Sequence, residues 1–170
     1  MEELELTYLA KYLPKDLEKF LSKEILDIYI PESSNHPTIR IRKSGAKYEI
    51  TKKEPINAHD LSRQLEQTIP LTEAEYKDFE KLCGKRLSKR RYFYKTHNTA
   101  HEIDVFTGDL AGLVVVDVEF STEAEKASFA MPDFCLVDVT QEKFIAGGML
   151  CGKTYKDIEP NLEKFGYKKI

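Results

Sequence analysis

Residues 101–120, HEIDVFTGDLAGLVVVDVEF, contain two alternating segments that decide the fold class. In the first segment, Glu102 and Asp104 fall on one face of an extended chain, while isoleucine and valine fall on the other. In the second, Asp117 and Glu119 alternate with valine and phenylalanine in the same way. Alternation at a period of two residues is typical of β-strands with one buried face. The stretch therefore predicts two strands, each presenting a pair of carboxylates to one space.

The same pattern recurs in four other parts of the chain. These further predicted strands cover residues 3–8, 38–43, 46–52 and 89–95. Six strands with little room for crossover connections favour an antiparallel sheet or barrel over a parallel one. Helices are predicted at 14–24, at 72–83 with Thr72 and Glu75 as a capping box, after Thr122, and from Tyr155 onwards. Residues 57–69 fit either a helix or a strand.

The composition bounds the class of protein. The chain has 170 residues, of which 41% are hydrophobic and 32% charged, as expected for one folded domain without a membrane span. The net charge of −3 argues against a nucleic-acid binder that depends on overall positive charge. The N-terminus begins acidic, unlike a secretory leader, and the cysteines share no metal-ligand spacing. We therefore expect a cytoplasmic protein with reduced thiols, no nucleic-acid partner and no membrane partner.

The charged faces of the predicted strands segregate by sign. The acidic pairs are Glu3/Glu5, Glu102/Asp104 and Asp117/Glu119, and the basic pairs are Arg40/Arg42 and Lys89/Arg91. A single charged strand face is usually just a face exposed to solvent. A solvent-exposed sheet would mix the two signs within a strand, however, so the segregation indicates two opposed walls.

Two walls of opposite charge suit an anion bound together with a cation. Arginine forks match phosphate oxygens, but nearby carboxylates would repel a phosphate unless a divalent cation lay between them. Carboxylate oxygens are hard ligands, which favour Mg²⁺ or Mn²⁺ bound jointly with phosphates. Such a cation stabilises charge on a phosphoryl group and activates water. The residues alone thus indicate a polyphosphate ligand and a divalent metal.

Six linked motifs run through nearly the whole chain. They are Glu3-Leu4-Glu5-Leu6-Thr7; Thr38-Ile39-Arg40-Ile41-Arg42; a strand that ends at Lys52; Lys89-Arg90-Arg91-Tyr92; Glu102-Ile103-Asp104-Val105-Phe106 with Gly108 and Ala111-Gly112-Leu113-Val114 after it; and Asp117-Val118-Glu119. In this order they resemble the CYTH superfamily, also called triphosphate tunnel metalloenzymes. That superfamily includes class IV adenylyl cyclases and thiamine triphosphatases. Six motifs in order are much more specific than any one of them.

The resemblance implies an α+β fold, with a closed antiparallel β-barrel of about eight strands around a polar tunnel and helices packed outside. It implies a single domain over residues 1–170, a triphosphate-containing small molecule as ligand, and Mg²⁺ or Mn²⁺ as cofactor. The implied roles are metal ligands for Glu3, Glu5, Asp117 and Glu119; triphosphate binding for Arg40, Arg42, Lys52, Lys89 and Arg91; catalysis for Lys52 and Glu5; and support for Glu66, Glu102 and Asp104. We expect a monomer or a homodimer.

Two positions depart from the family pattern. Thr7 stands where the opening signature Glu-x-Glu-x-Lys has its lysine, which removes a positive charge and leaves a hydroxyl donor. Thr68 stands beside Glu66 where a second carboxylate is common. Three functions therefore stay open: a metal-dependent hydrolase of triphosphates, with inorganic triphosphate as the simplest substrate; an adenylyl cyclase; and a non-catalytic protein that binds polyphosphate or nucleoside triphosphate.

Residues 147–154, GGMLCGKT, match the letters of a phosphate-binding P-loop. A P-loop follows a strand, opens a helix and is supported by a parallel sheet, whereas too few residues follow Thr154 for further units of that kind. We therefore interpret the match as chance and expect a turn after the last tunnel strand.

Overall fold

Nine β-strands form one antiparallel sheet in the computed structural model, which describes residues 2–57, 59–96 and 99–170. The strands are β1 (Glu2–Ala10), β2 (Ser22–Ile30), β3 (Ile39–Ser44), β4 (Lys47–Asn57), β5 (Asp60–Leu71), β6 (Lys85–Thr96), β7 (Thr99–Phe106), β8 (Val114–Phe120) and β9 (Cys135–Asp138). The helices are α1 (Glu73–Phe79), α2 (Glu123–Ser128), α3 (Gly147–Leu150) and α4 (Tyr155–Glu163), with 3₁₀ helices at Leu17–Lys19, Gly108–Leu110 and Lys143–Ile145.

The sheet closes through β1, which has neighbours on both edges. One edge pairs with β8 over Leu4–Leu9, and the other pairs with β5 at Glu2–Leu4. Around the ring the order is β1, β5, β4, β3, β2, β6, β7 and β8, so eight strands form a closed barrel. Strand β9 adds to β1 at Tyr8–Ala10, beyond the end of β5. The closed antiparallel barrel that the family resemblance implied is confirmed.

The N-terminal helix predicted over residues 14–24 is wrong. Only Leu17–Lys19 are helical, as a single 3₁₀ turn, and β2 already begins at Ser22. The chain cannot continue as an α-helix because Asp16 adopts a left-handed conformation with φ 60° and Phe20 is extended. Leu17 is buried against the barrel, so the apolar spacing that resembled a helix reflects this short turn.

The ambiguous segment 57–69 is extended and forms most of β5. Its long antiparallel register with β4 aligns Thr51 with Thr68 and Lys53 with Glu66. Cross-strand partners in a ladder point to the same face of a sheet. Glu66 and Thr68 therefore lie on the same face as Thr51 and Lys53, while Leu65 and Ile69 lie on the outer face.

The other predicted helices are present on the outside of the barrel. Thr72 and Glu75 form the expected capping box of α1, although this helix ends at Phe79 and not at residue 83. Thr122 caps α2 by accepting a hydrogen bond from the Glu125 amide. Helix α4 begins at Tyr155 and contains Pro160. Among the described residues, no helix has the length and apolar character needed to cross a membrane.

An apolar cluster lies at one end of the barrel interior. Leu9, Leu87 and Val115 occupy the strand positions two residues beyond Thr7, Lys89 and Asp117 on the same inward faces. They pack into one buried cluster with residues of the C-terminal segment, including Ile145, Leu150, Ile158 and Leu162. The charged inward residues thus lie over an apolar floor, which separates them from that end of the barrel.

Candidate active site

A cavity of about 750 Å³ occupies the barrel interior and brings the two charged walls together. The predicted site residues that line it are Glu3, Glu5, Arg40, Arg42, Glu66, Lys89, Arg91, Asp104, Asp117 and Glu119. Glu102 is not among the lining residues, but it lies on the same face of the sheet as Asp117, its partner across the strands, and contacts Arg91. The strand alternation in the sequence therefore places all of these side chains around one space.

Arg42 on the basic wall is held by Asp27 of the neighbouring strand. Its Nε and Nη2 donate to the two carboxylate oxygens of Asp27, each at 2.7 Å, and both residues are buried. Burial alone would raise the pKa of Asp27, but the Arg42 guanidinium outweighs burial and lowers this pKa. Arg42 is therefore charged and fixed in position without any ligand.

Lys89 and Arg91 share the buried carboxylate of Asp104. Arg91 donates from Nε to Oδ1 at 2.7 Å and from Nη2 to Oδ2 at 2.6 Å, and the Lys89 ammonium contacts the same carboxylate. Burial opposes ionisation, yet the two cations hold the pKa of Asp104 well below its usual range. Burial also lowers the pKa of Lys89. Asp104 thus orients two cations and neutralises part of their charge.

Arg40 differs from these paired cations. Its Nε is buried and has no hydrogen-bond partner among the described residues, and its Nη2 lies 4.0 Å from Glu66 Oε2. A buried guanidinium N–H without an acceptor is costly unless a ligand or water completes it. Arg40 therefore has a buried donor that the described residues leave unfilled.

The acidic wall is built from the pairing of β1 with β8. Glu5 lies opposite Glu119, and Thr7 lies opposite Asp117. Burial, reinforced by Glu5 and Asp104, raises the pKa of Asp117 to about 7. Burial, reinforced by Glu102 and Glu5, raises the pKa of Glu119 to about 7. Asp117 and Glu119 therefore hold protons more tightly than isolated carboxyl groups do, and they favour a cation beside them.

Thr7 links β1 to two neighbouring elements by hydrogen bonds. Its Oγ1 donates to Asp117 Oδ1 at 3.0 Å across the β1–β8 pair, and its amide donates to Thr140 Oγ1 at 3.0 Å. The short side chain leaves the acidic wall without a cation at this position.

The placement of Lys52 in the tunnel is wrong, because the inward lysine of β4 is Lys53. Lys52 pairs with Ile39, which faces outwards on β3, and its half-exposed ammonium lies 3.0 Å from Glu54. Lys53 lines the cavity, with Nζ 2.8 Å from Glu3 Oε2 and 3.5 Å from Glu5 Oε2. These carboxylates raise the pKa of Lys53 despite its burial.

No protein-family model matches the chain. Over 121 residues it is 33% identical to the inorganic triphosphatase of Nitrosomonas europaea, an alignment that covers 68% of this chain and 75% of that protein. The chain belongs to the CYTH superfamily. The resemblance of its motifs to this superfamily is confirmed.

Solved structures share the CYTH barrel. The crystal structure of the inorganic triphosphatase NE1496 matches with a TM-score of 0.64 and 23% identity, over 89% of this chain and 95% of that one. A putative adenylate cyclase from Bacillus halodurans matches with a TM-score of 0.54 and 16% identity, over 99% of this chain and 91% of that one. At these identities the likenesses show the fold.

The sequence did not point to Lys53, which lines the CYTH cavity, or to Asp27, which holds Arg42. Asp27 lies on β2, whose stretch Ile25-Leu26-Asp27-Ile28-Tyr29-Ile30 is apolar on both faces and shows no charge alternation. The alternation along β4 could have identified Lys53. Tyr48 and Ile50 pack against α1 on the outer face, so the alternate residues Glu49, Thr51 and Lys53 face inwards.

The donor set of the acidic wall suits a hard divalent cation, although its side chains are not gathered around one. Within residues 2–57, 59–96 and 99–170, no three His, Cys, Asp or Glu side chains form a group that could hold a metal ion. Glu3 and Glu5 instead hold the Lys53 ammonium, so a cation of this chain already stands against the predicted ligands. Glu3, Glu5, Asp117 and Glu119 therefore fit a metal in chemistry and need rearrangement to bind one.

Residues 147–154 do not have the setting of a P-loop in this CYTH chain. They begin with α3, which follows the 3₁₀ helix Lys143–Ile145 and no strand, and they continue into a turn at 151–152. Gly147 and Gly148 line the end of the cavity. A Cβ on Gly147 would come within 2.1 Å of Tyr29 Oη, so glycine permits the close approach of this segment to the barrel.

Proposed function

We propose that the chain is a metal-dependent triphosphatase whose substrate is inorganic triphosphate. The observation that carries this proposal is that the unfilled donor of Arg40 and the carboxylates of Glu3 and Glu5 line one interior cavity. The identity of the Nitrosomonas europaea relative supports the same activity. An enclosed site with an anion-binding wall and a cation-binding wall suits a phosphoanhydride substrate and its metal.

The basic wall would bind the triphosphate. Arg40 would use its free Nε and guanidinium edge on phosphate oxygens, since arginine matches them with two parallel donors. Arg42, Lys89 and Arg91 are already held by Asp27 and Asp104, so they would add positive potential without being reoriented. Such preorganisation lowers the cost of stabilising a highly charged ligand.

The acidic wall calls for a divalent cation. Carboxylates outnumber cations around the cavity: the acids are Glu3, Glu5, Glu49, Glu54, Glu66, Asp104, Asp117, Glu119 and Glu142, and the cations are Arg40, Arg42, Lys53, Lys89, Arg91 and Lys143. The excess of negative charge would weaken the binding of a triphosphate alone, and a divalent cation would offset it. We propose Mg²⁺ or Mn²⁺ held by Glu3, Glu5, Asp117 and Glu119, which when bound would supply charge stabilisation at the phosphoryl group.

Hydrolysis would join a water oxygen to the terminal phosphorus and break the bond from that phosphorus to its bridging oxygen. The products are phosphate and pyrophosphate, and one proton is released. Glu5 is proposed to accept a hydrogen bond from the attacking water and take its proton. Glu66, Glu102 and Asp104 would keep the cations of the opposite wall in place. Lys53 replaces Lys52 as the lysine proposed to act at the site.

A substrate panel with Mg²⁺ and with Mn²⁺ tests the proposal. Phosphate release is expected from inorganic triphosphate, exceeding release from thiamine triphosphate and ATP, and it should be lost in Glu5→Gln and Arg40→Ala. Lys52→Met, on the outer face, is the matched control and should retain activity. Pyrophosphate with a cyclic nucleotide from ATP would point to the adenylyl cyclase alternative. Binding of triphosphate without turnover would make the chain a sensor.

Three further properties stay as proposals. We retain a cytoplasmic location, a single domain over residues 1–170, and a monomer or homodimer. The proposed cytoplasmic location is consistent with Cys83, Cys135 and Cys151, which are free thiols in the structure.

A further inference from the structure

Lys53 occupies the boundary between the two walls. Its ammonium contacts Glu3 at 2.8 Å and Glu5 at 3.5 Å, although its backbone belongs to β4 beside the basic wall. The Lys53 side chain is 24% exposed, and those of Glu3 and Glu5 are 22% and 19% exposed. The ion pair therefore lines open cavity space and is not packed into the core.

The ammonium stands against the carboxylates proposed to receive the divalent cation. An ammonium and a divalent cation that contact the same carboxylate oxygens repel each other strongly in a partly buried site. The absence of a metal-ready cluster among the described residues agrees with this occupation. A cation that enters beside Glu3 and Glu5 must therefore displace Lys53.

A displaced Lys53 side chain can reach the basic wall. Thr51 lies two residues away on the same face of β4 and is the direct partner of Arg40 on β3. Same-face neighbours on a strand are about 7 Å apart, which a flexible four-carbon lysine side chain can span. An anion bound at Arg40 would thus lie within reach of the Lys53 ammonium.

We infer that Lys53 couples the two halves of the site, holding Glu3 and Glu5 while the cavity is empty and moving to the triphosphate when metal and substrate enter. The inference rests on the proposed function of the cavity. Lys53 acts in it as a positioning residue, which suppresses binding of metal alone and adds to binding of the triphosphate. One substitution should then shift two affinities in opposite directions.

Calorimetry on Lys53→Met and Lys52→Met tests this coupling. With Mn²⁺ alone, Lys53→Met should bind about tenfold more tightly than the wild type, because the competing ammonium is gone. With inorganic triphosphate in EDTA, where no turnover is expected, the same variant should bind about tenfold more weakly. Lys52→Met loses the same charge on the outer face and should match the wild type in both titrations.

Either missing shift overturns the inference. Unchanged Mn²⁺ affinity in Lys53→Met would mean that Lys53 does not occupy the metal position, and unchanged triphosphate affinity would mean that it never reaches the anion. Lys53→Arg keeps a cation at this position, so it should bind Mn²⁺ as weakly as the wild type does. If Lys53→Met does not fold, tight Mn²⁺ binding by Lys53→Arg would overturn the inference. A wild-type protein that binds no triphosphate would instead contradict the proposed function.

Discussion

Arg42 and Asp27 form a two-point ion pair between neighbouring strands, with both nitrogen-to-oxygen distances at 2.7 Å. The Asp27 carboxylate is 2% exposed and Arg42 is 8% exposed, so the pair is held away from water. Arg42 is therefore oriented by the protein before any ligand enters, and its position depends on a carboxylate that the ligand need not touch.

Removal of Asp27 should destabilise the barrel. Asp27→Ala leaves the buried Arg42 guanidinium without its partner, which costs about 3–5 kcal/mol in comparable buried pairs. Urea unfolding at pH 7 measures this loss.

The exposed pair of Lys81 with Asp78, at 2.7 Å, is the control. Asp78→Ala should leave the free energy of unfolding close to that of the wild type, since exposed ion pairs contribute little. Equal losses in the two variants would show that burial does not make the Arg42 pair special.

Arg40 and Arg42 should respond differently to a change into lysine. Arg40→Lys is expected to weaken triphosphate binding by about 10- to 100-fold, because the donor geometry at the phosphate is lost while the charge remains. Its unfolding should stay near the wild type, since a lysine keeps the charge and the Arg40 Nη2 contact with Glu66 is as long as 4.0 Å.

Arg42→Lys should mainly lower stability, because it breaks the two-point contact with Asp27. For both variants, calorimetry measures the change in triphosphate binding and thermal unfolding measures the change in stability. If Arg40→Lys unfolds early and binds normally, Arg40 is a structural residue.

The stability of the metal-free protein should fall as the pH rises from about 4 to 7 through Asp117. The folded state holds a proton on this carboxyl to about pH 7, whereas the unfolded chain releases it near pH 3.8, the ordinary pKa of an aspartate. Between these values the unfolded state binds fewer protons, so unfolding is favoured. Asp117→Asn should remove a penalty on the order of 4 kcal/mol at pH 8 and almost none at pH 4.

Urea unfolding in EDTA at both pH values measures this penalty. Addition of Mn²⁺ to the wild type should raise its stability more at pH 8 than at pH 5, because the metal binds the deprotonated carboxylates. A gain in Asp117→Asn that is the same at both pH values would exclude titration of Asp117 as its cause.

Restoration of a lysine at Thr7 should strengthen the site. Thr7→Lys adds an ammonium beside Asp117, the acceptor of the present hydroxyl at 3.0 Å. We expect about tenfold tighter triphosphate binding, because the added charge offsets the acidic wall. Calorimetry with Thr7→Met as the uncharged control measures it, and unchanged or weaker binding would contradict this role for the position.

Much of the barrel could be predicted because its strands alternate in charge. Strands such as 101–106 and 113–120 carry one charged and one apolar face, so their period is visible in the letters. Strand β2 is apolar on both faces and gave no such signal. The turn at Leu17–Lys19 resembled a helix because its buried leucine and nearby aromatic residues happen to fall at helical spacing.

The site could be predicted as a set of inward faces but not as a set of contacts. The wrong choice of Lys52 shows the limit, since one residue of phase moves a side chain from the lumen to the outer surface. The partnership of Asp27 with Arg42 depends on which strands become neighbours, and that order follows from barrel closure. The alternation of residues within one strand does not indicate which strands become its neighbours.

The central claim is that triphosphate and a divalent cation bind together inside the barrel. Diffraction from crystals soaked with Mn²⁺ and inorganic triphosphate, with anomalous scattering used to locate the metal, tests it most directly. We expect an anomalous peak beside Glu3 and Glu5, triphosphate density against Arg40, and Lys53 turned away from the two carboxylates. A manganese peak outside the barrel, or triphosphate density absent from the cavity, would contradict it.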